Sequence, residues 1–600
     1  MAIKSRKVTI YAWDTENDWN DENTEVYLVQ TAFVGENLKE MLLSTGHIVA
    51  DRVAILRYMI DKAKEQCGTT YFYCANLKHE TELLKEGLKV IQNEYECRYL
   101  RRESNTLEIR IIIDESTQLV LWDVLSVFAG QSVKALGKLF GLPKLDGFEF
   151  KAGWSKGIDF ESEENMEYCY RDAEITYLAA KWLHDNKLHG ITVSSIAWKG
   201  IKKLINGDVP YSTSWESYFP KLTKEMDEWI RPCYIGGINY SKPDFTPPEE
   251  GVLLHEDASS MYPTVAVFDE LPYGLPYFTG NRQPRGLWIG KGHFKMKIKE
   301  NRPDYFGLDK KLMNMDGSVT LTVTSVDYDI IHDIYDVESV DMESYVGFNS
   351  MVGLLKDWFV RWYDVKDKAD HEGDMQTKTF AKYMLNAPTG RFGLRRELTE
   401  CALGEDWVTL PKMNEDEEEM ENDDSYLPYV AFITANARRR LIQHSKMFNP
   451  LIHMDTDSTI GYKQGNMTVG ISAMGGWKIE SSPVAIIEGG FKRYVEIHQD
   501  GSYTMACAGV PQKTDNSGCP IGMWVEILDN PYIIKVHGYE MGNPHYQVKS
   551  EWLRNRLIEG GYNPDDVNTM KLMPKKAYGG YIYVPTTMKL NDGMVLRWRK

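Results

Sequence analysis

Apolar and β-branched residues alternate with polar ones over Lys7–Trp13, which predicts a strand running into Asp14-Thr15-Glu16. Further strands are expected at Val26–Phe33, Thr70–Cys74, Thr106–Asp114 and Leu119–Asp123. Between them the period changes. Asp51–Gln66 and Ser132–Phe140 read as helices, and Asn76-Leu77-Lys78-His79-Glu80 as a loop opening into one. Glu163–Asn186 is one long helix with Tyr168 and Asp172 four residues apart on one face. Strands interleaved with helices predict an α/β domain over about residues 1–190.

Beyond it, Val252–Asp257 reads as a strand that ends in an aspartate and runs into a helix start, with Ser259 or Ser260 as N-cap and Pro263 in the first turn. Asn301–Asn349 is β-rich and irregular, with a helix candidate at Asp327–Tyr335, and is expected to be an insertion. Leu354–Lys368 and Gln376–Asn386 read as two helices joined by the polar turn Ala369–Gly373. On the second, Lys378, Lys382 and Asn386 form a polar stripe opposite Phe380, Met384 and Leu385, and Pro388 and Gly390 are expected to end it. Leu394–Leu427 is a second irregular stretch. A helix follows at Tyr429–Phe448, carrying Thr434 and Arg438 on one face. It delivers the chain to Leu451–Gly461, two short strands around a tight turn that bears Asp455 and Asp457.

The 600 residues are 43% hydrophobic and 26% charged, which is enough apolar material for cores in more than one domain. A net charge of −18 argues against a simple cationic nucleic-acid binder. Eight of those negative charges sit in Glu415–Asp424, a run expected to be a solvated loop. Anion binding then falls to local basic surface: Phe491-Lys492-Arg493-Tyr494, and the tail Lys571–Lys600. Eight scattered cysteines without a CxxC pair suggest no zinc site and a reducing compartment. The N-terminus runs into a strand with no signal-type apolar core, and no stretch of about 20 apolar residues follows. A cytosolic protein without a membrane partner is expected. The absence of a GxxxxGK[ST] loop argues against a Walker-type ATPase.

Two carboxylates roughly 4 Å apart repel by about 4 kcal/mol at an effective dielectric near 20, and a divalent cation offsets that. Asp455 and Asp457 form one such pair, or else an Asx-rich hairpin turn. Asp14, Glu16, Glu80 and Asp172 are a second candidate set, suited as oxygen ligands to Mg²⁺ or Mn²⁺, with Tyr168 placed to orient a water. The alternative is that Asp14 and Glu16 merely end a strand while Asp172 is a surface helix residue. The Lys378, Lys382 and Asn386 stripe suits a triphosphate or is a solvated face. The paired glycines after Tyr234 allow close backbone approach to a ligand or another strand, or make an ordinary turn.

Asp257–Pro263 (DASSMYP), Lys378–Gly390 (KTFAKYMLNAPTG) and Met454–Ser458 (MDTDS) resemble, in order, the three signature motifs of family B DNA polymerases. Tyr234–Gly237 (YIGG) and Phe491–Tyr494 (FKRY) resemble further family features. Asp14–Glu16 (DTE), Asn76–Glu80 (NLKHE) and Tyr168–Asp172 (YCYRD) resemble the three 3′–5′ exonuclease motifs. Length and the two irregular stretches resemble the protein-primed subgroup of bacteriophages and adenovirus.

The resemblance implies an α/β and α+β multidomain fold. An RNase H-like exonuclease domain would span 1–190 and a polymerase domain 191–600. Within the latter it implies a palm at 191–300 and 429–530, a first insertion at 301–349, fingers at 354–393, a second insertion at 394–428 and a thumb at 531–600. It implies DNA-dependent DNA synthesis by two-metal nucleotidyl transfer, with proofreading and strand displacement. Asp257, Ala258 and Asp457 would hold two Mg²⁺ (or Mn²⁺) ions with Asp455 beside them. Asp14, Glu16 and Asp172 would hold those of the exonuclease, assisted by Glu80, Tyr168 and Lys144. Tyr262 would underlie the incoming sugar, with Ser260 and Met261 beside it, and Lys382, Lys378, Lys366 and Asn386 would hold the triphosphate. Tyr234, Gly236, Gly237, Thr434, Arg438, Lys492, Tyr494 and Asn76 would contact DNA. The implied partners are template and primer DNA, dNTPs, a terminal protein whose hydroxyl primes synthesis, and a single-stranded-DNA-binding protein, in a host-cell cytoplasm. The first insertion would meet the terminal protein and the second would displace the downstream strand.

Three departures stand out. Glu80 replaces the usual Asp, with His79 before it in place of an aromatic residue, which leaves the strength of proofreading open. Thr389 replaces a Tyr that lines the nascent base pair. Val124-Leu125 replaces a Ser-Leu pair. Two alternatives stay open: a nucleic-acid-primed family B enzyme of reduced size, and a non-catalytic DNA-binding derivative, against which the intact aspartates argue.

Overall fold

A computed structural model describes most of residues 8–500. Outside the described residues lie 1–7, 20–25, 146–152, 208–213, most of 300–316, 395–398, 410–424, 465–472 and several shorter gaps. Beyond 500 it describes only short backbone strands. The acidic run 415–424, most of the thumb expectation at 531–600, and the side chains of the basic tail lie outside the described residues. The chain divides into two compact units, Met1–Trp229 with Leu355–Val430, and Ile230–Leu354 with Ala431–Lys600.

The first unit is built on a nine-stranded mixed sheet. Its order is Trp407–Thr409, Thr399–Leu403, Glu96–Arg102, Asn105–Ile112, Gln118–Asp123, Thr69–Cys74, Val8–Trp19, Val26–Gly35 and Leu38–Leu43. Val8–Trp19, Thr69–Cys74 and Gln118–Asp123 run parallel, so their carboxyl ends gather on one edge, where open α/β sheets place their sites. Tyr11 and Trp13 point to one face, into a core with Leu56, Met59, Leu84 and Leu88 of the helices Ile48–Gln66 and Leu77–Ile91. Strand alternation sends Asp14 and Glu16 to the other face. There the helix Glu163–Asp185 packs on the Val8–Trp19 strand.

The stretch expected to be irregular after Leu394 instead supplies two strands. Thr399–Leu403 pairs with Glu96–Arg102 and extends the sheet, and Trp407 packs its ring edge against Tyr99 at 5.2 Å. The helices Lys356–Glu372 and Met375–Phe392 form a hairpin turned by Gly373 at φ 72°. The second helix does not stop at Pro388, as expected, but runs to Phe392. Proline offers no N–H to the Met384 carbonyl, and Trp358 Nε1 donates to that oxygen instead at 3.1 Å. Phe392 then anchors the last turn among Trp198, Trp215, Phe219 and Tyr429.

The second unit carries a five-stranded antiparallel sheet in the order Trp477–Ser481, Val252–Ala258, Ser458–Lys463, Phe448–Asp455 and Asn239–Ser241. Leu253, Ile452, Ile460 and Ile486 form a small core with it. The helix Leu427–Ser445 ends here: His444 stacks flat on Trp477 at 3.5 Å and bonds buried Glu256 at 2.7 Å. Residues 318–352 do not fold apart from what precedes them. Ser318–Thr324 and Tyr335–Val352 share one four-stranded sheet with Glu270–Gly280 and Trp288–Ile298, and Ser325–Ile334 is the expected helix. Among the described residues no helix is long and apolar enough to cross a membrane.

Candidate active sites

In the first unit the four expected carboxylates converge. Asp14 and Glu16 leave the strand, Glu80 comes from the first turn of Leu77–Ile91, and Asp172 from the middle of Glu163–Asp185. Burial, then Glu16, Asp172 and Glu80, push Asp14 well above the usual carboxylate range. Burial, then Asp172, raises Glu16 to about 8. Burial also raises Glu80 to about 8, although Thr15 Oγ1 donates to its Oε2 at 2.6 Å. Lys144 pairs with Asp172 Oδ2 and lies 5.3 Å over the ring of Tyr168, whose hydroxyl burial raises to about 12. Gly137 makes that placement feasible, because a Cβ there would stand 2.5 Å from Leu142 O and 3.1 Å from Lys144 N. Asp172 Oδ1 is buried and has no hydrogen-bond partner among the described residues. A cluster of mutually repelling acids with one orphaned oxygen fits divalent cations held by oxygen. Asp123, which accepts from Asn76 N and Leu125 N, adds a further carboxylate at the same sheet edge that sequence reading did not single out.

In the second unit, Asp455 ends one strand and Thr456-Asp457 make the turn, with Thr456 at φ 55°. Ser458 pairs with Asp257 on the neighbouring strand, and Ala258 N donates to Asp457 O at 2.8 Å. The registers therefore bring together aspartates 200 positions apart in sequence. Burial, then Asp257 and Asp455, raises Asp457 to about 6. Burial raises Asp257, opposed by Lys478, whose Nζ lies 3.6 Å from Asp257 Oδ2. Gly237 is fixed by space: a Cβ there would meet Thr456 Oγ1 at 2.7 Å and Thr456 Cα at 2.8 Å. The paired glycines thus serve approach to the aspartate turn, where Thr456 N donates to Ile238 O. Three carboxylates with unfavourable mutual charge again fit oxygen-ligated cations.

Residues 156–472 match the family model described as DNA polymerase type B, organellar and viral. The chain belongs to this family. The DNA polymerase of Bacillus phage Nf is 29% identical over 342 residues, which is 54% of this chain and 58% of that protein. The DNA polymerase of Bacillus phage phi29 is 28% identical over 336 residues, 52% of this chain and 56% of that one. The chain thus spans less than two thirds of the length of these curated relatives. Solved structures of phi29 DNA polymerase also match at 20% identity. With primer-template DNA the TM-score is 0.66, covering 96% of this chain and 99% of that one. With primer-template DNA and incoming nucleotides it is 0.65, covering 98% and 100%. The fold, mixed α/β and multidomain, is that of the phi29 enzyme.

Other residues of the family motifs fall as follows. Tyr262 is half-buried, near Arg438, Asp457 and Tyr234, and Met261 is buried beside it. Ser260 occupies the N-cap position at φ 58°, but its side chain makes no capping bond, unlike the expectation. Lys382 and Asn386 are exposed on the Met375–Phe392 helix in the first unit. Lys378 there pairs with Asp370, and Lys366 lies 4.4 Å over the Tyr363 ring. Thr389 is buried, and its Oγ1 has no partner among the described residues. Gly236 is exposed and Asn76 is exposed at φ 79°.

Two residues expected to contact DNA are buried. Arg438 is 1% exposed; its guanidinium donates to both oxygens of Asp327 at 2.8 and 2.9 Å and to the carbonyls of Ile235 and Gly236 at 2.7 Å. It fastens the Tyr234–Gly237 loop instead of reaching outward. Thr434 is 4% exposed and donates to Ala431 O of its own helix. Lys492, at φ 56°, is turned onto Asp455 Oδ1 at 2.6 Å, and Tyr494 packs beside His453.

Proposed function

We propose that this chain is a DNA-directed DNA polymerase with a separate 3′–5′ exonuclease site, working on template and primer DNA with dNTPs. The observation that carries it is the convergence of Asp257, Asp455 and Asp457 through strand register and one backbone hydrogen bond. Asp257, Asp457 and the Ala258 segment would hold divalent cations, which would supply acidification of a primer hydroxyl and stabilisation of a departing pyrophosphate. The protein's own part is positioning. The Ser458–Asp257 register and the Gly237 contact fix where the carboxylates stand before substrate arrives. Lys492 and Lys478 limit the repulsion among them. Tyr262, beside Asp457, is assigned to the incoming sugar, and the exposed lysine face of Met375–Phe392 to the triphosphate. In the first unit Asp14, Glu16 and Asp172 would hold the cations for hydrolysis, assisted by Glu80, while Lys144 and Tyr168 position the attacking water and the phosphate.

Protein priming and strand displacement are part of this reading, supported by the resemblance to the protein-primed subgroup in length and in the two stretches 301–349 and 394–428. Primer extension in Mg²⁺ or Mn²⁺, with and without a candidate priming protein, tests the reading. Labelled dNMP joined to that protein supports protein priming. Strict dependence on an oligonucleotide assigns the chain to nucleic-acid priming. No incorporation with either primer and either cation overturns the polymerase reading.

A further inference from the structure

The helix Met375–Phe392, which carries Lys382, is fastened to a sequence-distant part of its own unit by groups that the mechanism above does not use. Tyr383 Oη donates to Ala129 O at 3.0 Å and accepts from Gln131 Nε2 at 3.1 Å. Gln376 Nε2 donates to Leu139 O at 2.8 Å. These bonds grip both ends of the short helix Val133–Leu139. Between them Phe380 sits against Phe128 and Trp182. Gln376, Phe380 and Tyr383 recur at i, i+4 and i+7 and so share one face. The exposed Lys382 and Asn386 stand on another, about 130° round the helix at 3.6 residues per turn. We propose that Tyr383 and Gln131 are positioning residues for the incoming nucleotide: they form a hydroxyl latch that sets the rotation of Met375–Phe392 and so points Lys382 at the triphosphate. The proposal rests on the assignment of that lysine face to the triphosphate.

Burial of Phe380 holds the helix down but is non-directional, so it leaves rotation about the axis soft. Hydrogen bonds supply direction, because they weaken steeply when bent. Tyr383 Oη gives its one hydrogen to a carbonyl and takes one from an amide, so rolling the helix either way strains one of the two. Gln376 and Tyr383 are seven residues, about 10 Å, apart along the axis, so together they also resist tilt. A group about 6 Å from the axis moves about 1 Å for each 10° of rotation. Displacement on that scale is enough to spoil a bound geometry. On the other flank Trp358 Nε1 holds Met384 O, so the helix is bonded from two sides. Nucleotide affinity therefore depends on residues 129–139 of the α/β domain as well as on the lysines themselves.

Primer extension by the full-length chain over a range of dNTP concentrations tests the latch. Tyr383→Phe removes the hydroxyl and keeps the ring. KM for dNTP should rise about 5–10-fold, with kcat and degradation of single-stranded DNA each within about twofold. Gln131→Ala should raise KM by less, since the bond to Ala129 survives. Combined with Tyr383→Phe it should change KM no further, because both substitutions remove the same bond. A contact that merely stabilised the fold would lower the active fraction, and hence kcat, at unchanged KM. Unchanged KM in both single variants, or a fall in kcat without a rise in KM, overturns the proposal. So does a double variant whose KM shows the two single effects multiplied. If the unmodified chain extends no primer, the polymerase reading falls and the proposal with it. Extension with a KM indifferent to both substitutions removes the proposal alone.

Discussion

Asp14, Glu16 and Glu80 share one buried pocket, and each makes ionising the others harder. Their folded-state pKa values lie above those of the unfolded chain, with Glu16 and Glu80 near 8. Between about pH 4.5 and about pH 8 the native state therefore binds more protons than the unfolded one, and stability falls as pH rises through that window. Without divalent cations, the melting temperature of the first unit should be higher at about pH 5 than at about pH 8. Glu16→Gln should flatten that dependence and stabilise the cation-free protein at about pH 8 by roughly 1 kcal/mol. Calorimetry in a chelator checks both, and a pH-independent melt for the unmodified chain would remove the argument. The acids themselves were legible in sequence, because two-residue spacing on a strand and a helical turn put like charges together. Lys478 was not. A lysine set beside Asp257 by strand register leaves no local signal.

Existence of elements was readable from periodicity, but their ends were decided by partners elsewhere. The helix Met375–Phe392 passes Pro388 because Trp358, on the other helix of the hairpin, supplies the donor that proline lacks. Trp358→Phe should cost about 1–3 kcal/mol, partly by leaving the Met384 carbonyl unsatisfied. In a Pro388→Ala background the restored N–H can serve that carbonyl, so the same substitution should cost less. A double-mutant cycle by urea denaturation measures the difference, and simple additivity would refute the assignment. The strand Thr399–Leu403 was illegible for a related reason, since its partner is an edge strand of a sheet built some 300 residues earlier. Gly237 shows the same at a turn. Any Cβ there collides with backbone and side-chain atoms of Thr456, so Gly237→Ala must displace the Asp455–Asp457 turn. Nucleotide addition should drop about 100-fold, as misplacement by about 1 Å does, with hydrolysis retained. Unchanged primer extension would show that the turn tolerates the shift.

At the scale of the molecule, each unit holds one carboxylate cluster complete in itself. The contiguous division at about residue 190 follows sequence order, whereas the first unit also recruits Leu355–Val430. Aromatic contacts explain this: Phe380 of the hairpin sits 5.3 Å from Trp182 and 6.3 Å from Phe128. Such contacts have no periodicity to read. Asp257, Asp455 and Asp457 lie in the second unit, and Asp14, Glu16, Glu80 and Asp172 in the first. Losses of the two activities should therefore separate. Removing a cation-holding carboxylate forfeits several kcal/mol of transition-state stabilisation, and about 4 kcal/mol is roughly a thousandfold in rate. Asp457→Ala should lower primer extension by about that factor and leave degradation of single-stranded DNA within about twofold. Asp14→Ala should do the converse. Both follow from one labelled oligonucleotide, extended with dNTPs or degraded without them. Retained synthesis in Asp457→Ala refutes the metal assignment. Equal loss of both activities in either variant would mean that the two clusters do not act as separate centres.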